Sequence, residues 1–190
     1  RAMCGPKEPV PAWRDEAILA AVRAQLEAGH SGHSGRLIRF PGSLAIAGSL
    51  LASGTTSASD LIDASLARIA TVDSRVQGWC SIDRKGARAE ASVLDEEAAR
   101  GRLKGPLHGI PVAIKDVIDV VRWPTRAGSE TRAHVPPATS DAQIVAALRA
   151  AGAIILGKAH TTEFAYFDGP PPTRNPHNLA HTPGGSSQGS

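Results

Sequence analysis

Two stretches of this chain hold residue types that could do chemistry. The first is a lysine inside an apolar, β-branched run: Lys115 in "GIPVAIKDVIDV", with Val112, Ile114, Val117, Ile118 and Val120 around it and Asp116 beside it. Such a lysine either marks a strand end and reaches its ammonium out to water, or lies desolvated, with a neutral amine available as base or nucleophile. The second use is costly. Moving an amine from about 10.4 to near 7 takes roughly 4–5 kcal/mol of differential stabilisation, from burial or a nearby positive dipole. The second stretch is "HTPGGSSQGS", residues 181–190. Gly184 and Gly185 allow positive φ and close approach of other atoms, while Ser186 and Ser187 add hydroxyls. By composition this loop reads as a linker, a phosphate cradle or a hydroxyl relay. The G-x-x-x-x-G-K-[ST] pattern of phosphate-binding loops is absent, which weakens the middle reading.

Other polar residues suggest less. "HSGHSG", residues 30–35, repeats histidine without partners at fixed spacing, and reads as a solvated linker rather than a metal site. His108, His160 and His181 also lack metal-ligand spacing and are expected in exposed or hydrogen-bonded structural places. Cys4 and Cys80 give neither a disulfide framework nor a metal set, in keeping with a reducing, cytoplasmic compartment. No metal or other cofactor is implied. The net charge is only +3, its Lys and Arg are dispersed among acids, and aromatic residues make up 4%, so direct nucleic-acid binding is not expected. No apolar run approaches transmembrane length, and "RAMCGPKEPVPAW" lacks the apolar core of a secretory signal.

The elements that must position Lys115 and the serine loop follow from hydrophobic spacing. Apolar residues at helical intervals predict helices over 15–28, 59–72 and 87–100; the second carries Leu61, Ile62, Leu66 and Ile69 on one stripe, the third Ala91, Leu94 and Ala98. A short buried strand is expected to lead into Lys115. Ser140-Asp141-Ala142-Gln143 reads as a capping box that opens a helix through Ile144, Val145 and Leu148 to Gly152. "AIIL", residues 153–156, follows as a second buried strand. Strand, helix, strand in that order is a βαβ-like unit and argues for an α/β sheet. From Gly169 to Ser190 no periodicity remains, and a loop of that length in a compact pattern is usually functional or disordered.

Taken together, "GPLHGIPVAIKD" and "TPGGSSQGS", with "PTRAGSET", "ATSDAQIVAALRAAGAIILGKAHTTEFAY" and "TRNPHNLAHTPGG" between and beside them, resemble the amidase signature family from about Ser43 to the last residue. The resemblance implies the N-terminal portion of that family's α/β fold, a mixed β-sheet covered by helices, cut short before the sheet is complete. Residues 1–40 have no counterpart in it and read as an N-terminal extension; residues 41–190 read as the amidase signature part. It also implies a Ser–cis-Ser–Lys triad with Lys115 as base and Ser186 as relay, 71 positions apart, in a loop supported by Gly184, Gly185 and Ser187. The substrate would be a small-molecule amide, hydrolysed at a linear C–N bond. Partners would be a second copy of the chain or, if the likeness is to the amide-cleaving component of a tRNA-dependent amidotransferase, the other subunits of that enzyme. The family's nucleophilic serine belongs to a later D-x-G-G-S segment that these 190 residues do not contain, so the chain alone is expected to be inactive. Gln188 stands where the family often has a small residue. Two readings outside this mechanism are a Schiff-base lyase using Lys115 and a non-catalytic fragment that serves as a binding surface.

Overall fold

A computed structural model of the chain describes residues 43–166 and 172–190. The helix expected over 15–28 and the "HSGHSG" stretch lie outside the described residues. Helix α1, Leu44–Ala52, has no counterpart in the sequence expectations: its run of nine is apolar on nearly every side, so no helical period stands out. Helix α2, Ala58–Val76, buries the expected stripe of Leu61, Ile62, Leu66 and Ile69. It opens on a capping box in which Ser57 Oγ accepts from Asp60 N–H (3.0 Å) and the Asp60 carboxylate accepts from Ser57 N–H (3.1 Å). The Asp95 carboxylate accepts from Ala58 and Ser59 N–H as well, so four orphan donors of the first turn are shared between two acids and a hydroxyl. Replacing Ser57 by alanine should therefore cost about 1 kcal/mol and no more, because Asp95 still holds its two donors; the urea unfolding midpoint reads this directly.

Strand β1, Trp79–Ile82, and helix α3, Arg84–Ala99, come next. The strand alternates poorly and was not expected; two of its four residues, Cys80 and Ser81, are exposed. Asp83 caps α3 through Gly86 N–H (2.7 Å), and the helix begins three residues before the expected start. Strand β2, Pro111–Lys115, leads into Lys115 as the sequence suggests. Helix α4, Gln143–Ala150, lacks the expected capping box: Ala142 is its N-cap and no side chain caps it. The Asp141 carboxylate is engaged elsewhere, accepting from Val121 N–H (2.7 Å) and from Arg149 Nε (3.1 Å). Strand β3, Ile154–Ala159, runs three residues past the expected end and is buried throughout.

The sheet order is β1-β3-β2, with β3 parallel to β2 and antiparallel to β1. Two parallel neighbours require a crossover, and α4 supplies it. Successive side chains of β3 alternate between two cores. Ile154 and Leu156 pack with α1, α2 and α3, whereas Ile155 packs with Val145 of α4 and with Ile114 and Val120. The expected α/β class, a mixed sheet covered by helices, is what these residues form. Among the described residues no helix is long and apolar enough to cross a membrane.

Candidate active site

Strands β2 and β3 run parallel and end side by side, with Lys115 paired to Ala159 in the register. The C-terminal ends of parallel strands are where open α/β sheets bind ligands, because connecting loops diverge there and leave a crevice. Lys115 is the last residue of β2 and is half-buried. Its Nζ lies 2.5 Å from Ser186 Oγ. The lysine thus meets the serine loop, which is no free linker. Ser186 O accepts from Thr162 N–H (3.1 Å), and Gly189 N–H donates to His160 O (3.0 Å), which ties the loop to the chain leaving β3. Gly184 takes φ +90, the conformation for which glycine was singled out, and the Gly185–Ser186 peptide is cis. At Gly189 a Cβ would overlap the Gly78 carbonyl oxygen and crowd His160 N, so only glycine lets the loop end lie this close. Ser187 sits one residue beyond the contact and is exposed.

The residue that holds this corner together was not singled out in the sequence. Lys158, on β3, is 1% exposed, and its ammonium pairs with Asp116 Oδ1 at 2.9 Å and donates to Thr125 Oγ1 at 3.1 Å. Asp116 also bonds through its backbone: its N–H donates to Ala159 O and its carbonyl accepts from Ala127 N–H. One buried ion pair thus fixes the turn that follows Lys115. A lysine inside the otherwise apolar strand "AIILGKA" was the available signal, since a buried ammonium requires a partner. Ser129 makes a second contact of this kind: its Oγ donates to Glu163 Oε1 at 2.5 Å.

The histidines take structural places. His108 is buried, accepting from Lys104 N–H through Nδ1 and facing Leu94 O with Nε2. Burial pushes His160 below its ordinary value, with Asp116 and Asp73 opposing. The folded form therefore binds its proton less tightly than the unfolded chain does. Stability is unaffected well above about pH 6.5 and falls as pH drops through that value. The loss of unfolding free energy between about pH 7.5 and pH 5.5 should accordingly be smaller in His160→Gln than in the parent. Cys80 belongs to an exposed edge strand, yet desolvation around its thiol, and next the Asp116 carboxylate, pushes it up to about 12. It is a thiol, not a thiolate nucleophile, at neutral pH.

A half-buried lysine and a serine hydroxyl in contact at the C-terminal ends of two parallel strands define an α/β protein with a lysine–serine pair at the end of its sheet. The sequence model of the Amidase family matches residues 60–190, and the chain belongs to that family. It is 41% identical over 145 residues to AtzE, the 1-carboxybiuret hydrolase component of Pseudomonas sp. (strain ADP), covering 74% of this chain and 32% of that protein. It is 42% identical over 146 residues to the GatA-type component of the glutamyl-tRNA(Gln) amidotransferase of Salinispora arenicola (strain CNS-205), covering 74% and 30%. Among solved structures, the native peptide amidase of Stenotrophomonas maltophilia superposes with a TM-score of 0.73 at 35% identity, covering 81% of this chain and 34% of that one. The chain spans about a third of the length of the relatives it matches.

Proposed function

We propose that these residues are the lysine and relay-serine portion of an amidase, acting on linear amides through a Ser–Ser–Lys proton relay. The observation that carries the reading is the 2.5 Å contact between Lys115 Nζ and Ser186 Oγ. A hydroxyl both donates and accepts, so Ser186 can take a proton from a second serine while giving its own to the Lys115 amine. The second serine's oxygen then bonds to the amide carbonyl carbon. The tetrahedral adduct collapses, its C–N bond breaks, and the leaving amine departs with a proton returned through Ser186 from the Lys115 ammonium. Water cleaves the resulting ester by the same route. Gly184 and Gly185 shape the loop that presents Ser186, and Ser187 belongs to that support. Residues 1–40 lie outside this unit as an extension, and residues 41–190 form it.

The nucleophile-bearing D-x-G-G-S segment is not among the 190 residues. Purified as given, the chain should release no ammonia from simple amides above background. Turnover that disappears in Lys115→Ala would mean that the nucleophile lies within these residues. A second reading is favoured by the likeness to the amidotransferase component: the same relay would then liberate ammonia from glutamine for a partner protein. Glutamine-dependent ammonia release that rises on adding such a partner would select it. Borohydride reduction in the presence of a carbonyl compound, leaving Lys115 unmodified, would exclude Schiff-base chemistry.

A further inference from the structure

Three successive carbonyls at the end of α2 accept hydrogen bonds from other parts of the chain. The helix ends at Val76, and Gln77 takes the left-handed conformation (φ 53) that closes it. Val76 O accepts from Arg174 N–H (2.7 Å), Gln77 O from Thr173 Oγ1 (2.7 Å) and Gly78 O from His160 N–H (2.9 Å). Carbonyls at a helix end have no partner within the helix, so they can hold a neighbouring segment. The Asp73 carboxylate accepts from Gly78 N–H (2.7 Å) and fixes the turn itself.

This turn grips the serine loop at both ends. Thr173 and Arg174 stand where the chain enters that loop. Where the chain leaves it, Gly189 packs against Gly78, and its N–H donates to the carbonyl of His160, whose own N–H the Gly78 carbonyl holds. Ser186 lies three residues before Gly189, and its carbonyl is held by Thr162 N–H. Fixing both ends of a loop on one turn removes much of the freedom of the residues between. Among the described residues, Thr173 makes the only side-chain hydrogen bond from the loop to the turn, and it is 1% exposed.

We propose that the Val76–Gly78 turn is a clamp that sets Ser186 against Lys115, with Thr173 as its positioning residue. The proposal rests on the amidase reading only in taking that placement to serve a reaction.

In the 190-residue chain, amide hydrogen exchange followed by NMR reads the clamp at Thr162 and Gly189, whose N–H groups donate to Ser186 O and His160 O. Thr173→Val keeps the side-chain shape but leaves Gln77 O without its donor, and should speed exchange at both amides about tenfold. Ile154 N–H, bonded to Ile110 O at the far end of the sheet, should exchange as in the parent. Thr173→Ser keeps the hydroxyl and should restore parental exchange. Asp73→Ala leaves the buried Thr173 site untouched yet frees the turn, and should speed the same two amides; it decides the matter if Thr173→Val does not fold. In a chimera joining residues 43–190 to the downstream part of the peptide amidase, Thr173→Val should lower kcat about tenfold or more with KM within about threefold, because it displaces the relay and removes no substrate contact. An inactive parent chimera would count against the amidase reading and not against the clamp, which the exchange rates decide. Equal acceleration at Thr162, Gly189 and Ile154 would mean that Thr173 serves global stability alone and would overturn the proposal. So would unchanged exchange at Thr162 and Gly189, failure of Thr173→Ser to restore it, or a parental kcat in Thr173→Val.

Discussion

Lys158→Met is expected to lower the stability of this chain by about 3–5 kcal/mol, the range found when one partner of a buried ion pair is removed. The side chains of Lys158 and Asp116 are 1% and 4% exposed, so neither charge is repaid by water when its partner goes. Total stabilities of single domains run to about 5–15 kcal/mol, and such a loss takes a large share of that. Asp116→Asn should fall in the same range, because the Lys158 ammonium would keep only the Thr125 hydroxyl. The pair is coupled: Asp116→Asn with Lys158→Met should cost less than the two single losses added together, since no charge is left buried. Urea unfolding checks all three variants, with the midpoint shifting at constant slope. Single variants within about 0.5 kcal/mol of the parent would mean that water reaches the pair.

Lys115→Ala and Ser186→Ala are each expected to lower kcat/KM for amide hydrolysis by at least about 10³-fold. Proton transfer by a positioned group contributes roughly 10²–10⁴-fold, and in the proposed relay both side chains serve one proton path. The assay requires the rest of the family domain. A chimera joining residues 43–190 to the part of peptide amidase beyond the matched third supplies it, with the unsubstituted chimera as reference. Ser187→Ala is the comparison. Ser187 makes no side-chain hydrogen bond in the described residues, and its loss should change the rate far less than that of Ser186. Equal losses at the two serines would move the relay off Ser186.

Much of this arrangement could be read before the structure. The Leu61, Ile62, Leu66 and Ile69 stripe, and the strand entering Lys115, follow from spacing alone, because burial on one face imposes a period. Helix α1 and strand β1 escaped because their cores are local exceptions: α1 is apolar all round, and β1 is a four-residue edge with two exposed positions. The false capping box shows a different limit. Asp141 has the right type at the right place, but Val121 N–H and Arg149, remote in sequence, compete for its carboxylate and win. The site divides along the same line. Lys115 and Ser186 were legible through long motifs, whereas the Lys158–Asp116 and Ser129–Glu163 pairs depend on which strands and loops become neighbours. Gln188 stood out in the sequence only as a substitution; the burial of its side-chain oxygen depends on the fold around it.

The most direct test of the central claim, that Lys115 and Ser186 act as one proton relay, is the double-mutant cycle in the active chimera. If they form a unit, Lys115→Ala/Ser186→Ala should be no slower than the worse single variant, within about threefold, because breaking the path once already removes its whole contribution. If the two losses instead multiply, or if either single variant keeps the parent rate, the 2.5 Å contact is structural and the relay is not there.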